Sequence, residues 1–145
     1  MGRRVLKILG IIVIVLVVAF VGIQFIRPSI VNHNPAVVSQ PAWGSPEVRA
    51  LAQRACFDCH SNETVWPWYS QIAPVSWLLA NDVARGRATL NFSDWRPGHQ
   101  PPPGELSDVV LEGEMPLPQY LLMHPSARLS DAEKQTLANG LATLQ

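Results

Sequence analysis

Both cysteines of the chain fall in one short stretch, Cys56-Phe57-Asp58-Cys59-His60, which also holds one of its four histidines. On a helical turn, residues three and four apart share a face. Cys56, Cys59 and His60 can therefore point the same way. C-x-x-C-H at this spacing reads as an attachment site for c-type haem, with two thioether bonds from the sulfurs and the imidazole as proximal iron ligand. Other chemistries are open to such a pair. A disulfide across so small a loop is strained. A dithiol redox pair wants a strand leading into the motif, and here a helix-like segment leads in. A zinc site wants about four ligands; the two cysteines would need His60 and a distant histidine to complete it.

A haem iron also needs a second axial ligand. Met115 stands before Pro116, which biases it to an extended backbone away from helix. Its thioether is a soft, neutral ligand of the kind that raises a haem potential. Methionine also fills core gaps. His99, Met123 and His124 are its rivals. His33 lies in a proline-rich stretch and reads as a solvated side chain. Three aromatics flank a proline in Trp66-Pro67-Trp68-Tyr69, and Trp77 follows. They could wall a flat apolar ligand or simply pack a small core. Arg85 and Arg87 could meet haem propionates, although charges near a helix end are usually solvated.

These residues need elements to hold them. Ser45-Pro46-Glu47 is a helix start, with Ser as cap, Pro in the first turn and an acid at the positive end. Val48, Leu51, Ala52 and Ala55 form an apolar stripe running into Cys56. Pro74 opens a second helix, Val75 to about Arg85, with Trp77, Leu78 and Ala84 inward and Gly86 as its stop. A carbonyl near Ala73 or Pro74 is a candidate acceptor for the free ring N–H of His60. Asn91 to Trp95 reads as a turn with two aromatic anchors. Pro97 to Gly104 holds four prolines and reads as a stiff loop. Ser107 caps a short helix through about Leu111. Ser130-Asp131-Ala132-Glu133 is a capping box, and Leu137, Leu141 and Leu144 recur on one face. That last helix is the natural partner of the Val48/Leu51/Ala55 stripe, with Gly140 marking a close crossing.

The N-terminus bounds the rest. Ile8 to Ile26 carries no charge, and Gln24 is its only strongly polar residue. Nineteen residues of helix span about 28 Å, close to the roughly 30 Å hydrocarbon core. Arg3, Arg4 and Lys7 precede the run and only Arg27 follows closely, so the N-terminus is expected in the cytoplasm and the remainder outside. A cleaved signal peptide would have a shorter apolar region and a small-x-small site, which is not evident after Phe25. Residues 1–27 thus read as an uncleaved anchor, 28–44 as an extended linker and 45–145 as one small domain. The formal net charge is zero, but setting aside Arg3, Arg4, Lys7 and Arg27 leaves seven basic against eleven acidic residues. A surface near −4 argues against nucleic acid or anionic lipid as partner.

The order helix, C-x-x-C-H, helix, loop, Met-Pro, C-terminal helix resembles a class I cytochrome c. A closer resemblance is to the small membrane-anchored haem-binding domain proteins of bacteria. The blocks that carry it run from Cys56 to Ser70, Ile72 to Trp77, Leu90 to Trp95, Gly113 to Pro116 and His124 to Ser130. Relatives often continue Met-Pro-Pro; here Leu117 stands between Pro116 and Pro118. The resemblance covers about Ser45 to Leu141. It implies one haem c, with His60 as proximal and Met115 as distal ligand.

The expected fold is therefore all-α: a class I cytochrome c-like domain around one haem, tethered by one transmembrane helix to the bacterial cytoplasmic membrane and facing the periplasm. The expected cofactor shell is Cys56, Cys59, His60 and Met115, walled by Trp66, Trp68, Tyr69 and Trp77. Full axial ligation leaves no place for substrate, which favours an electron carrier with a redox protein partner over an enzyme. An open or labile distal site would instead suit a peroxide or gas enzyme or sensor, with Glu114 and His99 as acid–base candidates. A non-redox haem-docking domain is the third reading.

Overall fold

In the computed structural model, which describes residues 2–144, the charge-free run is helical from Ile8 to Ile23 as part of helix α1, Gly2–Ile23, and its last three residues lie in the turn beyond. The helix holds an 18-residue window of mean hydropathy 3.0 and none of its residues is buried, so it is long and apolar enough to cross a membrane. At 1.5 Å per residue it is about 33 Å long. Six further helices follow: α2 (Pro46–Ala55), α3 (Phe57–His60), α4 (Val75–Thr89), α5 (Pro103–Leu111), α6 (Pro118–Met123) and α7 (Asp131–Leu141). Single 3₁₀ turns lie at Trp68–Gln71 and Pro125–Ala127. The described residues contain no strand beyond one isolated parallel bridge, Ser39 to Asp94, so the fold is all-helical.

The chain divides into two units: Met1–His33 with Trp66–Asn81, and Asn34–Val65 with Asp82–Gln145. Of the three points where the chain passes between them, the last, Asn81 to Asp82, falls inside α4.

In the first unit the turn after α1 is tied to the Trp66–Asn81 segment. The Gln24 amide donates to the Ala73 carbonyl at 3.1 Å and accepts from the Ala73 N–H at 2.9 Å. The Trp77 indole donates to the Ile26 carbonyl at 2.8 Å.

The second unit holds the core. α2 starts as its sequence requires: the Ser45 hydroxyl accepts from the Val48 N–H at 3.1 Å, and Pro46 opens the first turn. α7 starts with both arms of the Ser130/Glu133 capping box in place. The apolar stripes of α2 and α7 meet, and α5 also packs on α7. Gly140 permits that crossing, since a Cβ there would lie 3.0 Å from Val48 Cβ and closer still to its methyls. Under the helices Phe57, Phe92 and Trp95 stack in sequence, with Trp43 against the first two. The stretch expected to be an extended linker turns over residues 28–33, where the Val31 N–H donates to the Pro28 carbonyl and the His33 N–H to the Ile30 carbonyl, and from Asn34 onward it is bonded down. The Val38 N–H donates to the Ser93 carbonyl at 2.8 Å, and the Asn62 amide donates to the Ala36 carbonyl at 2.9 Å.

Three local expectations are corrected. α4 does not stop at Gly86; it runs on to Thr89. Its buried positions include Ser76, Ala80, Val83 and Gly86, while Leu78 and Ala84 are exposed. Small side chains at three- and four-residue spacing let the helix backbone approach its neighbours, and that spacing sets which face is covered. α5 begins at Pro103, four residues before Ser107. Proline at the first helical position is already set to helical φ, and the Ser107 hydroxyl instead donates across to the Ala138 carbonyl at 2.9 Å.

Candidate functional site

The motif lies at the junction of α2 and α3. The Cys59 and His60 N–H groups both donate to the Cys56 carbonyl, at 3.2 and 2.9 Å. That is one helical turn, and it brings Cys56, Cys59 and His60 to the wall of a single half-open cleft of about 280 Å³. Met115, Tyr120 and Arg85 also line it. The volume lies at the lower edge of the roughly 300–1,000 Å³ typical of ligand sites.

His60 is oriented by α4. Its Nδ1 lies 3.1 Å from the Gly86 carbonyl and 3.2 Å from the Leu90 carbonyl. Carbonyls only accept, so Nδ1 carries the proton and Nε2 is left with its lone pair. The expected acceptor near Ala73 or Pro74 is thus replaced by a pair one helix further on. Gly86 is what makes the approach possible. A Cβ at that position would run into the Cys59 carbonyl, 2.9 Å from its carbon. Burial lowers the pKa of His60, against the two carbonyl bonds that raise it, so the imidazole is neutral at neutral pH and fit to be a ligand.

Both cysteines are free thiols. Burial pushes Cys56 up to about 12, and Cys59 beside it adds to the rise. Cys59 is also pushed up to about 12, by burial first and then by the Asp58 and Asp82 carboxylates. A reactive redox thiol has the opposite setting, with its pKa depressed by positive surroundings. Among the described residues no group of three or more His, Cys, Asp and Glu could hold a metal ion. Neutral thiols in a partly apolar cleft suit addition to an apolar ligand better than thiolate chemistry.

The loop after the motif is a clamp built from polar side chains. Ser61, Asn62 and Thr64 are buried, and each has a partner. The Ser61 hydroxyl donates to the Phe57 carbonyl at 2.7 Å, and Thr64 donates to the Asp58 carbonyl at 2.7 Å. The Asn62 side-chain carbonyl accepts from the Asn91 amide at 3.0 Å. Arg87 crosses this loop, donating to the Ser61 carbonyl at 2.8 Å, to Asn34 at 2.9 Å and to Thr64 at 3.0 Å. Arg87 therefore braces the motif, whereas Arg85 faces the cleft.

Asp58, between the two cysteines, accepts from the Val65 N–H at 2.9 Å and from the Tyr120 hydroxyl at 2.7 Å. That bond places the Tyr120 ring, whose other neighbour is the His124 imidazole, stacked at 4.1 Å. Burial and the Asp58 carboxylate raise the Tyr120 pKa, so the phenol stays protonated. Sequence reasoning missed Tyr120; an aromatic two residues past Pro118 carries no motif, and only the tertiary bond to Asp58 identifies it.

Met115 is positioned by the end of α5. Gly113 takes a left-handed φ of +77°, the conformation that turns a chain away from a helix end and that glycine adopts without strain. The chain then folds back so that the Met115 N–H donates to the Val109 carbonyl at 3.0 Å. Of the rival ligands, His99 and Met123 are exposed and His124 is occupied with Tyr120. His99, Glu114, Met123 and His124 are not among the residues lining the cleft; Trp66, Trp68, Tyr69 and Trp77 belong to the first unit.

The cleft residues fit a flat iron macrocycle: two thiols able to form covalent links, a neutral imidazole with its Nε2 unbonded, a methionine thioether and an aromatic ring. A family model described as a haem-binding domain matches residues 18–143. Comparison with curated proteins and with solved structures yields no match in either case.

Proposed function

The chain belongs to the haem-binding domain family, and on that premise we propose that it holds one covalent c-type haem and passes single electrons at the outer face of a membrane. Cys56 and Cys59 would hold the haem through thioether links, and His60 through Nε2 and Met115 through its sulfur would hold its iron. When bound, the haem would give the domain a one-electron couple. The protein's own part is to fix both ligands. The Gly86 and Leu90 carbonyls hold the imidazole in one tautomer and orientation, and the Gly113 turn with the Val109 bond holds Met115.

The observation that carries this reading is that Met115 lines the same cleft as Cys56, Cys59 and His60. The lining also supplies its own ring in Tyr120, so the proposed shell is Cys56, Cys59, His60, Met115 and Tyr120. Trp66, Trp68, Tyr69 and Trp77 lie in the first unit. Electron transfer is favoured over peroxide chemistry because the two acid–base candidates, His99 and Glu114, are exposed and outside the lining. With α1 as an uncleaved span, the basic cluster at Arg3, Arg4 and Lys7 would face the cytoplasm and the domain the periplasmic side. A membrane-confined redox protein would be its partner.

The test is the visible spectrum of the full chain matured in an exporting host competent for haem c, taken oxidised, reduced, and reduced under carbon monoxide. Haem that survives acid–acetone extraction, a low-spin reduced spectrum, the far-red band of a methionine-ligated ferric haem and indifference to carbon monoxide are expected. In Met115→Ala the far-red band should vanish and carbon monoxide should bind. A wild type that is high-spin and binds carbon monoxide would overturn the electron-transfer reading, and extractable haem would overturn covalent attachment.

A further inference from the structure

The Trp66–Asn81 segment is bonded to the end of α1 at two points, and those bonds fix its depth. With Arg3 and Arg4 at one boundary and the long Lys7 side chain reaching back to it, the rise of about 30 Å from Arg4 to Gln24 spans a hydrocarbon core about 30 Å thick. Ala73 shares two hydrogen bonds with the Gln24 amide, so it lies at the same level. The Trp77 indole, donating to the Ile26 carbonyl, lies there too. The large apolar side chains around these bonds point outward. Trp68 is 76 % exposed, Leu78 51 % and Val75 41 %, and Phe25 after the helix is 84 % exposed. On a water-facing surface such a group would be a liability. At the level of the headgroups it is at home, because tryptophan places an apolar body and a polar N–H across that boundary.

A second observation lies in the same unit. A cavity of about 160 Å³ is walled by Gln24, Arg27, Ser70, Gln71 and Ser76, among others. Ser70 and Ser76 are buried. The Arg27 Nε–H donates to the Gln24 carbonyl at 3.4 Å, which keeps the guanidinium on the cavity wall. An arginine at the end of a span reaches for the headgroup layer, and its planar fork suits phosphate oxygens.

We propose that the Trp66–Asn81 segment and the turn after α1 seat together in the outer bilayer interface, and that this cavity takes the phosphate of a phospholipid headgroup. The inference rests on the reading of α1 as an uncleaved span. The negative balance of the exported part does not oppose it, since the phosphate of a zwitterionic phospholipid brings no net charge.

The test uses the full chain in nanodiscs of phosphatidylethanolamine and phosphatidylglycerol, with photoreactive benzoylphenylalanine in place of Trp68 or of Leu78. Irradiation should give phospholipid adducts at both positions. Arg27→Gln should lower the phospholipid retained through purification about tenfold, the loss of one hydrogen bond to a charged group, and Arg27→Lys should restore most of it. No lipid adduct at either position, or adducts to protein only, would overturn the seat while an alkaline-resistant membrane fraction leaves the anchor intact. Lipid adducts with retention unchanged in Arg27→Gln would overturn the headgroup site. Release of the chain by alkaline wash would remove the anchor and the proposal together.

Discussion

In the second unit Phe57, Phe92 and Leu137 are almost wholly shut off from solvent, and four aromatic rings lie against one another. In the first unit α1 buries no residue, and Trp68 stands largely in the open. Both units are rich in large apolar residues, so composition alone does not say which will make a core. The difference lies in the partners. Phe57 and Phe92 sit on a turn and a loop pinned by buried Ser61 and Ser93, so their rings have fixed neighbours. In the first unit Trp77 is held by its indole hydrogen bond to the Ile26 carbonyl just past the apolar helix, while the Trp68 ring is left for another medium.

The sharpest way to break this contrast is to delete a ring on each side. Phe92→Ala should cost the full chain about 3–5 kcal/mol in urea unfolding followed in detergent, whereas Trp68→Ala should stay within about 0.5 kcal/mol. Equal losses would mean that Trp68 is packed after all. Glycines give a second comparison. Gly86→Ala should destabilise by about 1–3 kcal/mol and lower the yield of covalent haem, because the new methyl meets the Cys59 carbonyl. Gly10→Ala in α1, with nothing within 4 Å of an added Cβ, should leave both readouts unchanged.

Smaller effects belong to the second unit alone. Ser130→Ala should cost about 1 kcal/mol in the same unfolding assay by opening the α7 cap. The Glu133 carboxyl of that cap is held down at about 2, against an ordinary 4.5, first by the Ser130 N–H and then by Arg54. A depressed carboxyl stabilises the fold above its unfolded pKa. Its contribution is therefore whole above pH 4.5 and is lost as pH falls towards about 2. The melting temperature of Glu133→Gln should approach that of the wild type over this window. A constant gap down to pH 2 would show that the carboxylate plays no part.

What could be read in advance was local or periodic. Ser45, Ser130 and the Val48/Leu51/Ala55 stripe speak through spacing of three and four residues, and Gly140 could be paired with that stripe because both faces were already legible. The C-x-x-C-H turn is local too. The misses depend on contacts between distant residues. Gly86 looks like a helix stop until Cys59 is seen against it. Leu78 and Ala84 look like the inner face of α4 until Ser76, Ala80 and Val83 prove to be the side that is covered. Asp58 and Tyr120 lie 62 residues apart, and neither carries a signal that names the other. Nothing in the spacing of Ser61, Asn62 and Thr64 marks them as buried, though each closes a bond that holds the motif.

The Arg87 clamp also bears on the order of events while the chain is made. A chain synthesised from its N-terminus presents Cys56 and Cys59 well before Arg87, Leu90 and Ser93. Until those residues arrive, nothing braces Ser61 or Thr64, and nothing accepts the proton on the His60 ring. The thiols are then solvated, with ordinary acidity and open access. Once Gly86 settles against Cys59, the same sulfurs are buried and hard to ionise. The clamp therefore orders access: the cysteines stand open to reaction until Arg87 and Gly86 are in place, and are harder to reach afterwards.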